Sequence, residues 1–155
     1  MSELRYRHLY DADIALAAPI TIGATPSGQR AIFPIGGGTL KGERLSGRFM
    51  PPGGDWALVR GDGSIALDVR AAVETDDGAL VYITYTGRLV ADPALLPAVL
   101  DVASAAPVDP SRYYFRTLVV FETGSPAYAW LNGICAVGIG STGNGGVQYR
   151  TYEIL

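Results

Sequence analysis

Cysteine, histidine and lysine each occur once in these 155 residues, as Cys135, His8 and Lys41. A single cysteine rules out an intrachain disulfide. One histidine and one cysteine fall short of the usual zinc ligand count, so no metal is expected. They also argue against a Cys–His nucleophile pair, and a Ser–His–Asp triad has only His8 to draw on for its base. Fifteen acidic residues against twelve basic ones give a net charge of −3 with no basic block. That argues against nucleic acid or an anionic membrane surface as partner, since both reward clustered lysine and arginine. Long apolar runs are missing too. The longest, around Ala94–Leu100, is broken by Pro97 and is too short to span a bilayer. The opening stretch MSELRYRHLYDADIAL mixes charges among its apolar residues, unlike a signal peptide. A cytoplasmic protein without metal or cofactor is expected.

What is present is mostly strand. With 48% hydrophobic residues the chain suits a single domain over 1–155 with a sizeable core. SIALDVRAAVE (64–74) alternates Ile65, Leu67 and Val69 with Ala66, Asp68 and Arg70, and ALVYITYTGRL (79–89) alternates in the same way. Asp77-Gly78 lies between them, a pair favoured in tight hairpin turns, so these segments are expected to form a hairpin. Further strands are expected at 4–10, 30–35, 39–50, 56–60, 113–123, 127–140 and 146–155. One segment reads as helix, DPALLPAVLDVASAA (92–106), with Asp92 as N-cap and Pro93 as first helical residue. The expected fold is all-β, an antiparallel barrel of eight or nine strands with one short helical insertion. A sandwich is the second choice.

The glycines do not make a phosphate loop. GGTLKGERLSGRFMPPGGDW (37–56) is rich in them, yet the chain contains no Gly-Lys pair and hence no Walker A motif. GIGSTG (138–143) fits G-x-G-x-x-G formally, but a turn and a strand follow it where a dinucleotide fold needs a helix. Gly42 and Gly47 are read as serving bends, bulges or close backbone approach in a curved sheet. PPGGDW (51–56) is read as a tight corner, either a pocket rim that presents Asp55 and Trp56 or a surface turn with Trp56 in the core.

Several stretches together resemble a bacterial and fungal family, the domain-of-unknown-function family numbered 3237. They are GGTLKGERLSG, PPGGDW, DGSIALDVR, ETDDGALVYITYTG, YYFRTLVVFET and YAWLNGICAVG, which follow one another from Gly37 onward. GATPSGQR (23–30) fits less distinctively, and the 90–112 insertion carries none of the likeness. The resemblance implies a relative of the allene oxide cyclase and dirigent barrels, which enclose a small apolar ligand. Some fungal members are associated with ring closure.

Strand parity sorts side chains to the two sides of a barrel wall. One face gathers Asp68, Arg70, Tyr82, Thr84, Tyr114, Arg116, Trp130 and Asn132, and the other is aliphatic and includes Cys135. Either the polar face meets water over an aliphatic core, or it lines a cavity. In the second case Asp68 and Arg70 pair, Arg116 holds an anionic group, Tyr82 or Tyr114 exchanges a proton, and Asp55 is a base at the rim. Those six are the catalytic candidates. Trp56, Thr84, Glu122, Tyr128, Trp130 and Asn132 are the candidate substrate contacts. The function expected is a cofactor-independent cyclase or isomerase acting on a small, oxygenated, partly apolar molecule. A carrier barrel and a structural subunit are the alternatives, and homo-oligomeric association is expected in each case. His8 is expected to be an ordinary strand residue.

Overall fold

The computed structural model of the chain describes residues 3–155. Nine strands run in order: β1 Tyr6–Leu16, β2 Ile20–Thr25, β3 Gly28–Lys41, β4 Gly47–Val59, β5 Ile65–Thr75, β6 Leu80–Val90, β7 Tyr114–Glu122, β8 Cys135–Gly143 and β9 Gly146–Ile154. Every neighbouring pair is antiparallel, in the spatial order β1-β9-β8-β7-β6-β5-β4-β3-β2. A further pairing of β1 with β3, from Asp11↔Lys41 to Leu16↔Ile35, closes eight of these strands into a barrel. β2 remains outside as a flap hydrogen-bonded to β3 alone. Closure excludes the sandwich.

Alternation decides which face turns inward. Ile65, Leu67, Val69, Ala71 and Val73 of β5 are buried, as are Val81, Ile83, Tyr85 and Leu89 of β6, while Arg70, Tyr82 and Val90 are exposed. The two strands join through Asp77-Gly78 as expected, with Gly78 at φ +87°. An eight-stranded barrel is just wide enough inside for side chains or one small ligand. Apolar groups fill that width because charged ones would lose their water without a partner.

The two ends differ. One is stoppered by the 42–46 loop and by the 3-10 helix Pro126–Gly133, which contribute the buried Leu45 and Leu131 to the core. Gly42 is required there, since a Cβ would collide with the Leu9 carbonyl oxygen. Glu153 locks this end. Its Oε2 accepts from Arg7 Nη2 and from Arg44 Nη1, both at 2.7 Å, and Arg44 lies 3.7 Å over the Trp130 ring.

Several expectations need correction. The 127–140 segment is a 3-10 helix followed by β8, because Pro126 opens a turn where strand was expected, and this shift of register puts Cys135 on the outside. Residues 92–106 form only the short helix α1, Leu96–Leu100, with an irregular strap beyond it. Asp92 Oδ1 accepts from the Ala94 amide, but the helical turn begins later, around Pro97. PPGGDW is not a corner. It lies within β4 as a bulge, where the register shifts between Met50 and Gly54 and the Pro51-Pro52 peptide is cis. No described helix is long and apolar enough to cross a membrane.

Replacing Glu153 by Gln removes the charge that both arginines share. Arg7 and Arg44 are partly solvated, so the loss should be about 1–2 kcal/mol, or a fall of several degrees in melting temperature. Differential scanning calorimetry reads this directly, and an unchanged melting temperature would mean that the lock contributes nothing.

Candidate active site

The end opposite the stopper is hollow. A cavity of about 240 Å³ opens there and runs down to the middle of the barrel. Small residues create it: Ala31 and Ala57 stand on its wall where larger side chains would fill the space. Gly140 belongs to the same economy, since a Cβ there would sit 2.6 Å from Cδ1 of Phe115, whose ring forms part of the wall. Gly138 and Gly140 of GIGSTG therefore serve close packing against Thr117 and Phe115, while Gly143, at φ +128°, shapes the β8–β9 turn beside Pro107.

A strap covers part of the mouth. Thr142 Oγ1 donates to the Val99 carbonyl at 2.6 Å, and the Gly145 and Asn144 amides donate to Val102 and Ser104 at 2.7 and 2.9 Å. These bonds pin the strap to the β8–β9 turn and hold Leu100 and Val102 at the rim of the cavity. Val99, fully buried, anchors α1 beneath.

One ionisable carboxylate borders this space. Asp55 on β4 pairs across to Val69 on β5, and Val69 pairs to Tyr85 on β6, so the three lie in one row around the wall. Tyr149 of β9 reaches the same level from across the barrel, its ring 5.5 Å from that of Tyr85 and 5.4 Å from that of Phe115. Asp55 Oδ1 accepts the backbone amide of Asp68 at 2.9 Å, which fixes the carboxyl group against β5. No donor to Oδ2 is found among the described residues. Asp55 is partly accessible, and the space it borders is the cavity.

The electrostatics follow from burial. Desolvation pushes Asp55 up from 3.8 to about 6, against the hydrogen bond from the Asp68 amide, which lowers it. The Asp68 charge adds to the rise, and Arg30 opposes it weakly. Burial likewise raises Tyr85 and Tyr149 well above the ordinary phenol value, a hydrogen bond between the two hydroxyls lowers the first and raises the second, and the negative charge of Asp55 adds to both shifts. Both phenols therefore stay protonated as hydrogen-bond donors beside a carboxylate poised near neutrality.

The sequence candidates divide sharply. Of the six proposed for catalysis, Asp55 alone borders the cavity. Asp68, Arg70, Tyr82, Tyr114 and Arg116 stand on the outer wall, so of the two alternatives the polar face meets water over an aliphatic core, and the catalytic roles that depended on its lining a cavity do not hold for these five. Asp68 and Arg70 do pair, at 3.1 Å, but each side chain is 51% exposed. Arg116 donates to its neighbour's carbonyl on Phe115 and lies 5.0 Å over the Tyr114 ring. The proposed substrate contacts are dispersed as well. Trp56 faces outward near Arg70, Thr84 is on the outer face, and Glu122 is exposed. Tyr128 donates to Asp77 at 2.9 Å, Trp130 packs under Arg44, and the Asn132 side chain holds the Thr123 backbone, all at the stoppered end. Tyr85 and Tyr149 were missed. The signal was there in YITYTG, where Tyr85 shares parity with Ile83 and so sits among aliphatic neighbours. His8 is a strand residue, as expected, bonded to Asp11 on the surface. Among the described residues no cluster of three or more His, Cys, Asp or Glu side chains could hold a metal.

Comparison with other proteins bears on the fold and the family. A family model described as a protein of unknown function (DUF3237) matches residues 4–154. A UPF0311 protein of Rhodopseudomonas palustris is 34% identical over 152 residues, 98% of this chain and 97% of its own. The crystal structure of that organism's conserved protein of unknown function superposes with a TM-score of 0.91 at 34% identity, covering all of both chains. A β-barrel-like protein from Acinetobacter baumannii gives 0.85 at 34% identity, over 100% of this chain and 98% of that one. A chain from Penicillium herquei described as an enzyme is 20% identical with a TM-score of 0.72, over 100% and 97% of the two chains, and shares the fold.

The raised value of Asp55 has a consequence for stability. The folded protein holds this proton more tightly than the unfolded chain does, so stability falls as pH rises from about 4 through 6. Asp55→Asn cannot ionise and escapes that loss while still accepting the Asp68 amide. The variant should be more stable than the parent by about 2–3 kcal/mol at pH 8 and equal to it at pH 4, as read from urea unfolding. The same difference at both pH values would contradict the burial of this charge.

Proposed function

The chain belongs to the DUF3237 family, and from the geometry of its cavity we propose a cofactor-independent cyclase or isomerase that moves one proton on a small molecule bound inside the barrel. The observation that carries this reading is a lone carboxylate, raised to about 6, in an otherwise apolar cavity beside two neutral phenols. Such a carboxylate is a competent base at neutral pH and a competent acid once protonated. The phenols supply donors where an oxyanion would develop.

The step is a proton transfer at carbon. Asp55 takes the proton from a carbon next to a carbonyl group, and the electron pair left behind moves onto the carbonyl oxygen as an enolate. Tyr85 and Tyr149 donate hydrogen bonds to that oxygen. Where the substrate carries a β,γ double bond the enolate is a dienolate, and Asp55 returns the proton at the γ-carbon as that double bond moves into the α,β position, which completes an isomerisation. Alternatively the enolate carbon attacks a second carbonyl carbon of the same molecule, whose C=O π bond opens as the ring closes, and Asp55 delivers the proton to the alkoxide so formed. The apolar walls hold the flexible part of the substrate in one shape, an orientation effect that suits ring closure. A general base of this kind contributes about 10²–10⁴ in rate.

Exchange of α-protons in deuterated water tests the reading on a panel of one- and two-ring cyclic ketones followed by proton NMR. The parent protein should accelerate exchange on at least one of them. Asp55→Asn should lower that rate at least about 100-fold and Tyr149→Phe by a smaller factor, while Arg116→Ala on the outer wall leaves it unchanged. Binding without exchange across the panel would instead mark a carrier barrel.

A further inference from the structure

Resting on the reading of the cavity just given, we infer the class of molecule that it takes: an uncharged one- or two-ring compound with a carbonyl oxygen, and not a carboxylate. The first ground is what lines the space. Neither lysine nor arginine is among the lining residues, and the polar groups are Asp55, Tyr85, Tyr149, Thr142 and, at the rim, Gln29. Thr142 spends its hydroxyl proton on the Val99 carbonyl. Arg30, the cation that acts on Asp55, follows Gln29 and precedes Ala31, both lining residues, so its side chain leaves β3 on the outer side. There it donates to the Trp56 carbonyl at 2.6 Å. A bound carboxylate would find no counter-charge and would face that of Asp55.

The second ground is conservation of charge through the reaction. With an uncharged substrate the cavity holds one negative charge throughout, on Asp55 before proton transfer and on the enolate oxygen after it. The phenols of Tyr85 and Tyr149 serve the second location. An anionic substrate would put two negative charges in this apolar space at every stage, and one of them would be neutralised by proton uptake instead. That would occupy the base and stop the step.

The third ground is size. An apolar cavity of about 150 Å³ accepts a benzene ring, so about 240 Å³ admits a second fused ring or a short substituent. Two donors at mid-depth, opposite a mouth rimmed by Leu100 and Val102, set the oxygen inward and the hydrocarbon edge outward.

Three probes of one skeleton separate these grounds: indane, 1-indanone and indane-1-carboxylate, titrated at pH 7.5 by calorimetry with amide NMR shifts to locate binding. The expected result is shifts at Leu67, Val69 and Phe115, with 1-indanone bound at least tenfold tighter than indane-1-carboxylate. In Asp55→Asn the gap should narrow severalfold, because the fixed negative charge is gone. If the carboxylate binds as tightly as the ketone and moves the same amides, the class assigned here is overturned while the cavity stands as a binding site. If the gap is unchanged in Asp55→Asn, exclusion by Asp55 is overturned. If none of the three probes moves these amides, the cavity does not bind ligand, and both this inference and the function it rests on fail.

Discussion

The pairing of β1 with β3 is the contact on which the rest of the structure depends. It closes eight strands at a width that side chains nearly fill, so every interior position is a choice between occupying the axis and leaving it open. Closure also fixes the faces. A strand in an open sheet can turn either side to water, but here the aliphatic face has nowhere else to go. The arginines and the Asp68–Arg70 pair are left on the outer wall, where solvent carries the cost of their charge.

Given that width, the barrel spends its interior unevenly. Toward the stopper the axis carries Tyr10, Phe49, Phe121 and Leu131, with Tyr10 and Phe121 edge to face at 6.4 Å. Toward the mouth, alanine replaces such groups on β3 and β4, and the strap covers the opening only in part. The filled half supplies stability and the hollow half an apolar cavity. Asp55 sits at the boundary, deep enough to lose its water and shallow enough to border the open space. That loss of water holds its carboxyl group near 6, against the hydrogen bond from the Asp68 amide.

Much of this was legible in the sequence, and the parts that were not have physical causes. Alternation in 64–74 and 79–89, with Asp77-Gly78 between them, announced the hairpin and the barrel class. Alternation says which residues share a face but not which face is inside, and aromatic content was a misleading guide, since Tyr82 and Tyr114 are exposed on a wall that arginines also occupy. Asp55 stood out through PPGGDW, although the bulge there was mistaken for a corner because two prolines and two glycines ordinarily end a strand. The place of Tyr149 depends on the curvature of the closed barrel, which brings β9, three strands from β6, to face Tyr85 across the interior. α1 is confined to Leu96–Leu100, with Pro97 in its first turn, where a proline is tolerated.

The central claim is that Asp55 is a buried carboxylate facing a ligand cavity, tuned to exchange a proton near neutral pH. Titration of its side-chain carboxyl carbon by NMR tests this most directly, with Asp55→Asn used to assign the resonance. The account predicts a midpoint near 6. A midpoint at the ordinary 3.8 would mean that Asp55 is solvated like any surface acid, and the proton chemistry assigned to this barrel would fall with it.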